Sequence, residues 1–492
     1  MLNSVNRFFN ASGLKPNPLK SACYFCNVDQ DTVQSTLTTS GFSRGSFPFK
    51  YLGLPLITGR LSATDCKELT DKLCNRIDHW TSRFLRYSGR LLLLKTVLFS
   101  IQGYWASYLF LPKGVLKHLQ SLFGRFLWGG NVNSRSQHKV SWHDCCLPKN
   151  EGGLGIRDLT EWNRAAIFYQ IWRLSKPHAD SLWILWLHEC LFKQKSFWTA
   201  SLPSSSPWCL KEIMNLRQEA KHYIFYSIGR NSGLKLWHDP WINHESLVNL
   251  LGPDIISIEG SFPLAPIRSI IANGIWSTSR SNHMLAMDLR CLISTYTISR
   301  EDKVFWQNNH NPNISIIWHS FRNSAVPPPW VPMVWHSLSI QKCAFFMWLM
   351  LKKRLLTKDK MIRFGFNVNP RCTLCYCQDE TVQHLFVECP YSYLVLKSSP
   401  IPLNINWADW EIGNFIQGQV INLHKRLAWL FISVAIYSIW KERNNRLHNN
   451  GPALNVDRMI YMVKLMVKER VFSSKEMRSY FRRNPSFCSV LF

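Results

Sequence analysis

Apolar and polar positions alternate with different periods along the chain, and each change of period marks a change of structure. Between residues 61 and 180 apolar residues recur every three or four positions, the spacing of one helix face. Leu69, Leu73, Ile77 and Trp80 share such a face, with Ser62 placed to cap its start. Ser88 can cap a second helix from Gly89 to about Tyr104, and Pro112 opens a third in which Val115, Leu119, Leu122 and Phe126 are in register. A turn at Glu151-Gly152-Gly153-Leu154-Gly155 then feeds a helix from Glu161 to Leu174. Residues 1–60 read instead as two or three short strands, with Ala22 to Val28 and Phe49 to Leu56 as the β-prone runs. Residues 181–330 are rich in Trp, Ser and Pro, show little periodicity, and end at the break Pro327-Pro328-Pro329. Beyond it, Ile340 to about Leu351 reads as a buried helix, and a further helix is expected near 455–471. The longest apolar run, Leu427 to Trp440, is shorter than the roughly 20 residues that cross a bilayer, so a buried helix is expected and no membrane partner. The expected fold class is mostly α and multidomain, with short β-strands at the N-terminus, a small α/β module near 331–400 and C-terminal helices.

Composition adds a partner to this picture. Hydrophobic residues make up 46% of the 492 and charged residues 18%, which describes packed domains and excludes a disordered chain. Lys and Arg number 58 against 31 Asp and Glu, a net charge of +27, well beyond what solubility requires. The excess is spread along the chain and not gathered beside one apolar helix, so it points to RNA or DNA before a membrane surface. Arg83, Arg86, Arg90, Lys95, Lys113, Lys117 and Arg125 lie between the apolar stripes with almost no acidic partners, as a phosphate-facing surface would require.

The cysteines number 15, an odd count, and the first residues have no apolar signal core, so a reducing, intracellular setting is expected, the nucleus before the cytoplasm. Several apparent motifs carry no chemistry. The Gly-rich stretch at 151–155 lacks the Lys-Ser/Thr of a phosphate loop. His143 and Cys145 are sequence neighbours, which rarely form a nucleophile–base pair. Cys23 and Cys26 sit in a β-prone run with no further ligands nearby and are expected in the core.

Cys372-Thr373-Leu374-Cys375, followed by His384 and Cys389, is different. It spells C-x2-C-x8-H-x4-C. Two thiolates two residues apart can grip one ion from a tight turn, and a His and a Cys from the next element complete a tetrahedron. Zn²⁺ suits this mixed sulfur and imidazole set, and four protein ligands make a closed, structural site. Cys377 could replace one ligand, but the C-x2-C turn favours Cys375. Lys342, Lys352, Lys353, Arg354, Lys358, Lys360 and Arg363 lead into this loop and are candidate nucleic-acid contacts. Phe364 and Phe366 could stack on unpaired bases but are expected to pack in the core.

At this point a family resemblance enters. Ser12-Gly13-Leu14-Lys15, FKYLGLPL (49–56), SGRLLLLKTVL (88–98), FLWGG (126–130), VSWHDCCLPKNEGGLGIRDL (140–159), LKLWHDPWI (234–242) and the region from Val334 to Tyr393 occur in this order. Together they resemble the C-terminal part of a plant non-LTR (LINE-type) retrotransposon reverse transcriptase, from near residue 7 to about residue 450. The resemblance implies a palm remnant at 1–60, a helical thumb-like region at 61–180, a connecting region at 181–330, a reverse-transcriptase zinc-binding domain at 331–400 and a helical segment at 401–492. It supports Cys372, Cys375, His384 and Cys389 as ligands, preceded by Arg354-Leu355-Leu356-Thr357. It also exposes a departure. Polymerases of this kind hold Mg²⁺ on a Tyr-x-Asp-Asp turn and an earlier Asp, and this sequence has no Asp-Asp dipeptide. The fingers, most of the palm and any ribonuclease H domain are expected to lie outside the chain. Two functions are therefore expected: a nucleic-acid-binding, zinc-binding module without catalysis of its own, or one part of a polymerase completed by a catalytic palm in cis or in trans.

Overall fold

The computed structural model describes residues 2–13, 17–57, 59–80, 85–133, 138–177, 181–401, 423–448 and 451–483. It is 55% helix and 7% strand, the mostly α class that the periodicity predicts. Helix Lys67–His79 fully buries Leu69, Leu73 and Ile77. The second helix starts at Tyr87, with Arg86 and not Ser88 at the N-cap, and continues through a π-turn at Leu94–Leu98 to Tyr108. Helix Lys113–Gly129 buries Val115, Leu119, Leu122 and Phe126. The next runs Leu159–Leu174, two residues earlier than expected, because Asp158 Oδ1 accepts from the Thr160 and Glu161 amides at 2.8 and 3.1 Å and so sets its start.

The chain forms two compact units, each assembled from three separated segments. The first takes residues 1–70, 103–116 and 162–321. Its N-terminal part contains strands, as expected, but also helices Leu2–Ser12 and Gln30–Ser40. Asp29 caps the latter through Oδ1, 2.8 Å from the Thr32 amide. The run around Cys23 yields only a two-residue strand, Ala22–Cys23, paired parallel to Ser43–Arg44. Cys26 is exposed and not in the core. The stretch from Phe49 to Leu56 is a hairpin and not a single strand. Leu52 and Gly53 both adopt positive φ, +50° and +77°, as a two-residue hairpin turn requires.

The aperiodic stretch from 181 contributes to two cores of this unit, the first of them shared with helix Leu159–Leu174. In one, strands Ile224–Ser227 and Lys303–Trp306 pair antiparallel, and Trp172 Nε1 donates to Val304 O at 3.1 Å. The other centres on Trp237 and Trp241 of LKLWHDPWI. Asp239 is buried beside them and accepts from Ser196 Oγ at 2.5 Å and from the Lys235 amide at 2.7 Å.

The second unit takes residues 71–102, 117–161 and 322–492. The long helix Leu423–Leu447 packs on Gln341–Leu351 and on Val456–Ser473. Here the Gly-rich turn is explained. Gly152 has φ +84°, and a Cβ on Gly153 would lie 1.9 Å from the Leu147 carbonyl oxygen, so only glycine fits. Glu151 forms a buried ion pair with Arg322, and Trp348 Nε1 donates to Gly152 O at 2.7 Å. Cys145 and Cys146 are buried and their thiols are pushed up, Cys145 to about 12, which removes them as nucleophiles. No helix among the described residues is long and apolar enough to cross a membrane.

His336 gives this unit an acid sensitivity. Both ring nitrogens are buried without a hydrogen-bond partner. Burial, then the charges of Arg426 and Arg470, push its pKa from 6.5 down to about 4, with Glu476 opposing. The folded state therefore binds fewer protons than the unfolded chain between pH 6.5 and 4. The contribution of His336 to stability is constant above pH 6.5 and is lost as pH drops through that window, by about 3 kcal/mol. His336→Leu is expected to flatten this part of a pH–stability curve from urea titrations. An unchanged slope would remove His336 as its source.

Candidate metal centre

Two short elements build the site. In the first, the Cys372 amide donates to Gln378 O at 2.8 Å and the Tyr376 amide to Cys372 O at 2.9 Å, closing a tight loop. Tyr376 takes φ +59° to complete the turn. This curvature aims Cys372 and Cys375 at one point. The second element is a helical turn of π type, His384–Glu388, joined to helix Pro390–Lys397, which has Cys389 at its N-cap. The Cys389 amide donates to His384 O at 2.7 Å, so the last two donors come from one rigid corner.

Cys372 Sγ, Cys375 Sγ, Cys389 Sγ and a His384 ring nitrogen all lie within 4.8 Å of one another. Cys375 Sγ is 3.2 Å from His384 Nε2. A tetrahedron with Zn–S of about 2.3 Å and Zn–N of about 2.0 Å has edges of roughly 3.5–3.8 Å, so the donor atoms fit zinc after small closing movements. His384 Nδ1 lies 3.0 Å from Gln378 Oε1. With Nδ1–H donating there, Nε2 is left as the lone-pair donor facing the sulfurs, the arrangement that orients a metal-bound imidazole. Cys372, His384 and Cys389 are buried and Cys375 half-buried. Cys372 shares a hydrogen bond with Cys389 that holds the Cys389 thiol below its usual range and raises that of Cys372. Cys377 is exposed and outside the cluster, its thiol donating to Cys375 O. The set is chemically a closed holder of one soft divalent ion.

The loop is anchored from behind by a charged core that sequence reading did not find. Glu380 accepts from Arg443 Nε at 3.0 Å and Nη2 at 2.5 Å, from the Lys358 amide at 3.0 Å and from Thr373 Oγ1 at 3.3 Å. Arg446 Nη1 donates to Leu374 O at 3.2 Å, inside the C-x2-C turn. Thus two of the cations in the basic run after Trp440 face the metal loop and not solvent.

Most of the candidate nucleic-acid contacts fall into three groups. Lys353, Arg354 and Arg363 are exposed beside the metal loop, Arg363 within 3.8 Å of Asp359. Lys358 is instead buried, its ammonium donating to Arg371 O at 2.6 Å, and Lys360 is tied to the carbonyls of Lys353 and Leu355. These two hold the loop, and Lys352 lies 3.7 Å from Asp144. Arg86, Arg90 and Lys342 line one cavity, while Lys95 donates to Leu154 O at 3.2 Å, away from it. Arg83 lies outside the described residues. Phe364 and Phe366, expected in the core, are 66% and 54% exposed, and Tyr376 on the loop tip is 66% exposed.

Comparison with known proteins places this geometry in a family. Residues 297–395 match the family described as zinc-binding in reverse transcriptase. A protein of Arabidopsis thaliana named for ribonuclease H, At1g65750, is 24% identical over 356 residues, which cover 68% of this chain and 56% of that protein. The chain therefore spans little more than half the length of that relative. The uncharacterized mitochondrial protein AtMg00310 of the same plant is 30% identical over 138 residues, 28% of this chain and 88% of the relative. With a Cys₃His cluster inside the matched region, the chain is a retrotransposon-derived, reverse-transcriptase-related protein with a zinc-binding region, and it belongs to one family with AtMg00310.

Proposed function

We propose that the chain is the nucleic-acid-binding C-terminal portion of a LINE-type reverse transcriptase, with a structural Zn²⁺ held by Cys372, Cys375, His384 and Cys389. The observation that carries this reading is the buried Cys₃His cluster within the matched zinc-binding region, flanked by exposed Lys353, Arg354 and Arg363. The zinc ion fixes the loop and supplies no reaction step. The loop presents Phe364, Phe366 and Tyr376 to solvent among these cations, a surface suited to unpaired bases and phosphates. The sequence has no Asp-Asp dipeptide, and the match covers 56% of the longer relative. This reading assigns catalysis to a palm joined to this portion in cis or supplied in trans.

Binding of a labelled single-stranded RNA and of a duplex DNA across a salt series tests the reading. Affinity is expected to fall steeply with salt, by about 0.7–0.9 log unit per phosphate contact for each log unit of salt. Chelation of zinc is expected to weaken binding several-fold by releasing the loop. No binding at low salt would overturn nucleic-acid recognition. Primer extension by the purified chain with Mg²⁺ would overturn the assignment of catalysis to a separate palm.

A further inference from the structure

The second unit holds a cavity of about 660 Å³ whose lining combines aromatic rings with cations and, among the described residues, contains no carboxylate. One wall is a single face of helix Leu423–Leu447. Tyr437, Trp440, Lys441, Asn444 and Asn445 are spaced three and four apart along it. Facing them are Lys342 and Phe346 of helix Gln341–Leu351, Arg86 and Arg90 at the start of helix Tyr87–Leu93, and Lys139. Residues more than 350 positions apart in sequence thus converge on one space.

The rings form an angular aromatic wall, Phe346 inclined by 73° to Tyr437 and by 40° to Trp440. Phe346 lies 5.5 Å from Trp440 and 6.0 Å from Tyr437, centroid to centroid, and all three are only partly buried. Lys342 Nζ sits 5.6 Å above the Tyr437 ring, and Lys139 Nζ 4.9 Å above the Tyr87 ring. The positive field of Arg86 reaches Tyr437, where it opposes the effect of burial on the phenol. Arg86, Lys139, Lys342 and Lys441 make no ion pair among the described residues. Asn444 Oδ1 is taken by Arg443 at 2.8 Å, which leaves the Asn444 NH₂ as a donor at the cavity wall.

We propose that this cavity takes an unpaired nucleotide of a single-stranded nucleic acid, its base against Phe346, Tyr437 and Trp440 and its phosphates among Arg86, Lys139, Lys342 and Lys441. The proposal rests on the nucleic-acid reading above and adds the place and the form of the ligand. Four unpaired cations around an aromatic wall suit a ligand that is anionic and flat at once. A base offers its ring face only when it is unpaired, so a duplex cannot use the wall. The volume lies in the range of sites that enclose small ligands, roughly 300–1,000 Å³. An acidic peptide would meet the cations but leave the aromatic wall unused.

The test is equilibrium binding of the full chain to a labelled single-stranded oligonucleotide. Competition comes from the same strand without bases, from its duplex, from a mononucleotide and from polyglutamate. The intact strand is expected to compete at least about 10-fold better than the abasic strand or the duplex, as stacking of one or two bases implies. Lys342→Gln with Lys441→Gln is expected to reduce the salt slope by about one to two units. Tyr437→Leu is expected to weaken the single strand about 10-fold with the slope unchanged. Because Tyr437→Leu can disturb folding, the wild-type chain is also cross-linked by ultraviolet light to a strand carrying 5-iodouracil, and the modified peptides are mapped. Cross-links on the peptides of Phe346, Tyr437 or Trp440 support the site, whereas cross-links confined to other peptides overturn it. Equal competition by polyglutamate or by the abasic strand also overturns it. If the mononucleotide competes as well as the strand, the pocket takes free nucleotides and the strand proposal falls. Strand binding with wild-type affinity in all variants defeats the pocket and leaves nucleic-acid binding standing; absence of all strand binding defeats both.

Discussion

Cys389→Ser is expected to strip the zinc ion and unfold residues 371–397. Cys389 is buried, supplies one of the four donors and sits at the junction of His384–Glu388 with helix Pro390–Lys397. Serine keeps the shape but offers a neutral hydroxyl in place of a thiolate, and three remaining ligands hold zinc far more weakly. Apparent zinc-binding energy in such small sites is about 10 kcal/mol or more, and it is largely the folding energy of the loop. Metal analysis should show less than one zinc per chain, and limited proteolysis should open the segment. Cys377→Ser provides the contrast, since Cys377 is exposed and outside the cluster. Retained zinc in Cys389→Ser, or lost zinc in Cys377→Ser, would refute the ligand set.

The second large effect is expected at Glu380. Its side chain is fully buried against Arg443, which is itself 2% exposed. Glu380→Ala removes the acceptor of two Arg443 bonds and of the Lys358 amide while the guanidinium stays buried. Stranding a buried charge in this way costs about 3–5 kcal/mol. The same change loosens the loop behind Cys372, so zinc affinity should fall along with the urea midpoint. Replacing both partners, Glu380→Leu with Arg443→Met, should recover much of the loss, because the pair's attraction is offset by its own desolvation. A single-variant loss below about 1 kcal/mol would show that the pair is hydrated in solution.

The helices and the Cys₃His cluster were legible because their signals are local. A stripe such as Leu69, Leu73 and Ile77 carries its own period, and Cys372 to Cys389 spans less than twenty residues. Glu380 and Arg443 are 63 positions apart, and neither has a neighbour that announces the pairing. Lys358 reads as one more surface cation until Arg371 O is seen to take its ammonium. The stretch from 181 to 321 hid two cores for a related reason. Helices Trp208–Lys221 and Met284–Ser294 supply part of the packing, but they are separated by turns and four-residue strands that supply the rest and are too short to show a period. Phe364 and Phe366 went the other way. Two aromatics beside a glycine read as core, yet the six-residue helix Lys358–Arg363 ends just before them and leaves both outside.

The interleaving of segments has a consequence for how the protein is made. The second unit joins residues 71–102 and 117–161 to partners that begin only at 322, and Trp348 finds its acceptor at Gly152, 196 residues upstream. A ribosome adding about 5–20 residues per second would leave the early apolar helices without those partners for on the order of tens of seconds. The first unit's last segment, 162–321, is synthesised in that interval. Translation speed and chaperone cover, more than final stability, then set how much of the nascent chain reaches its native state.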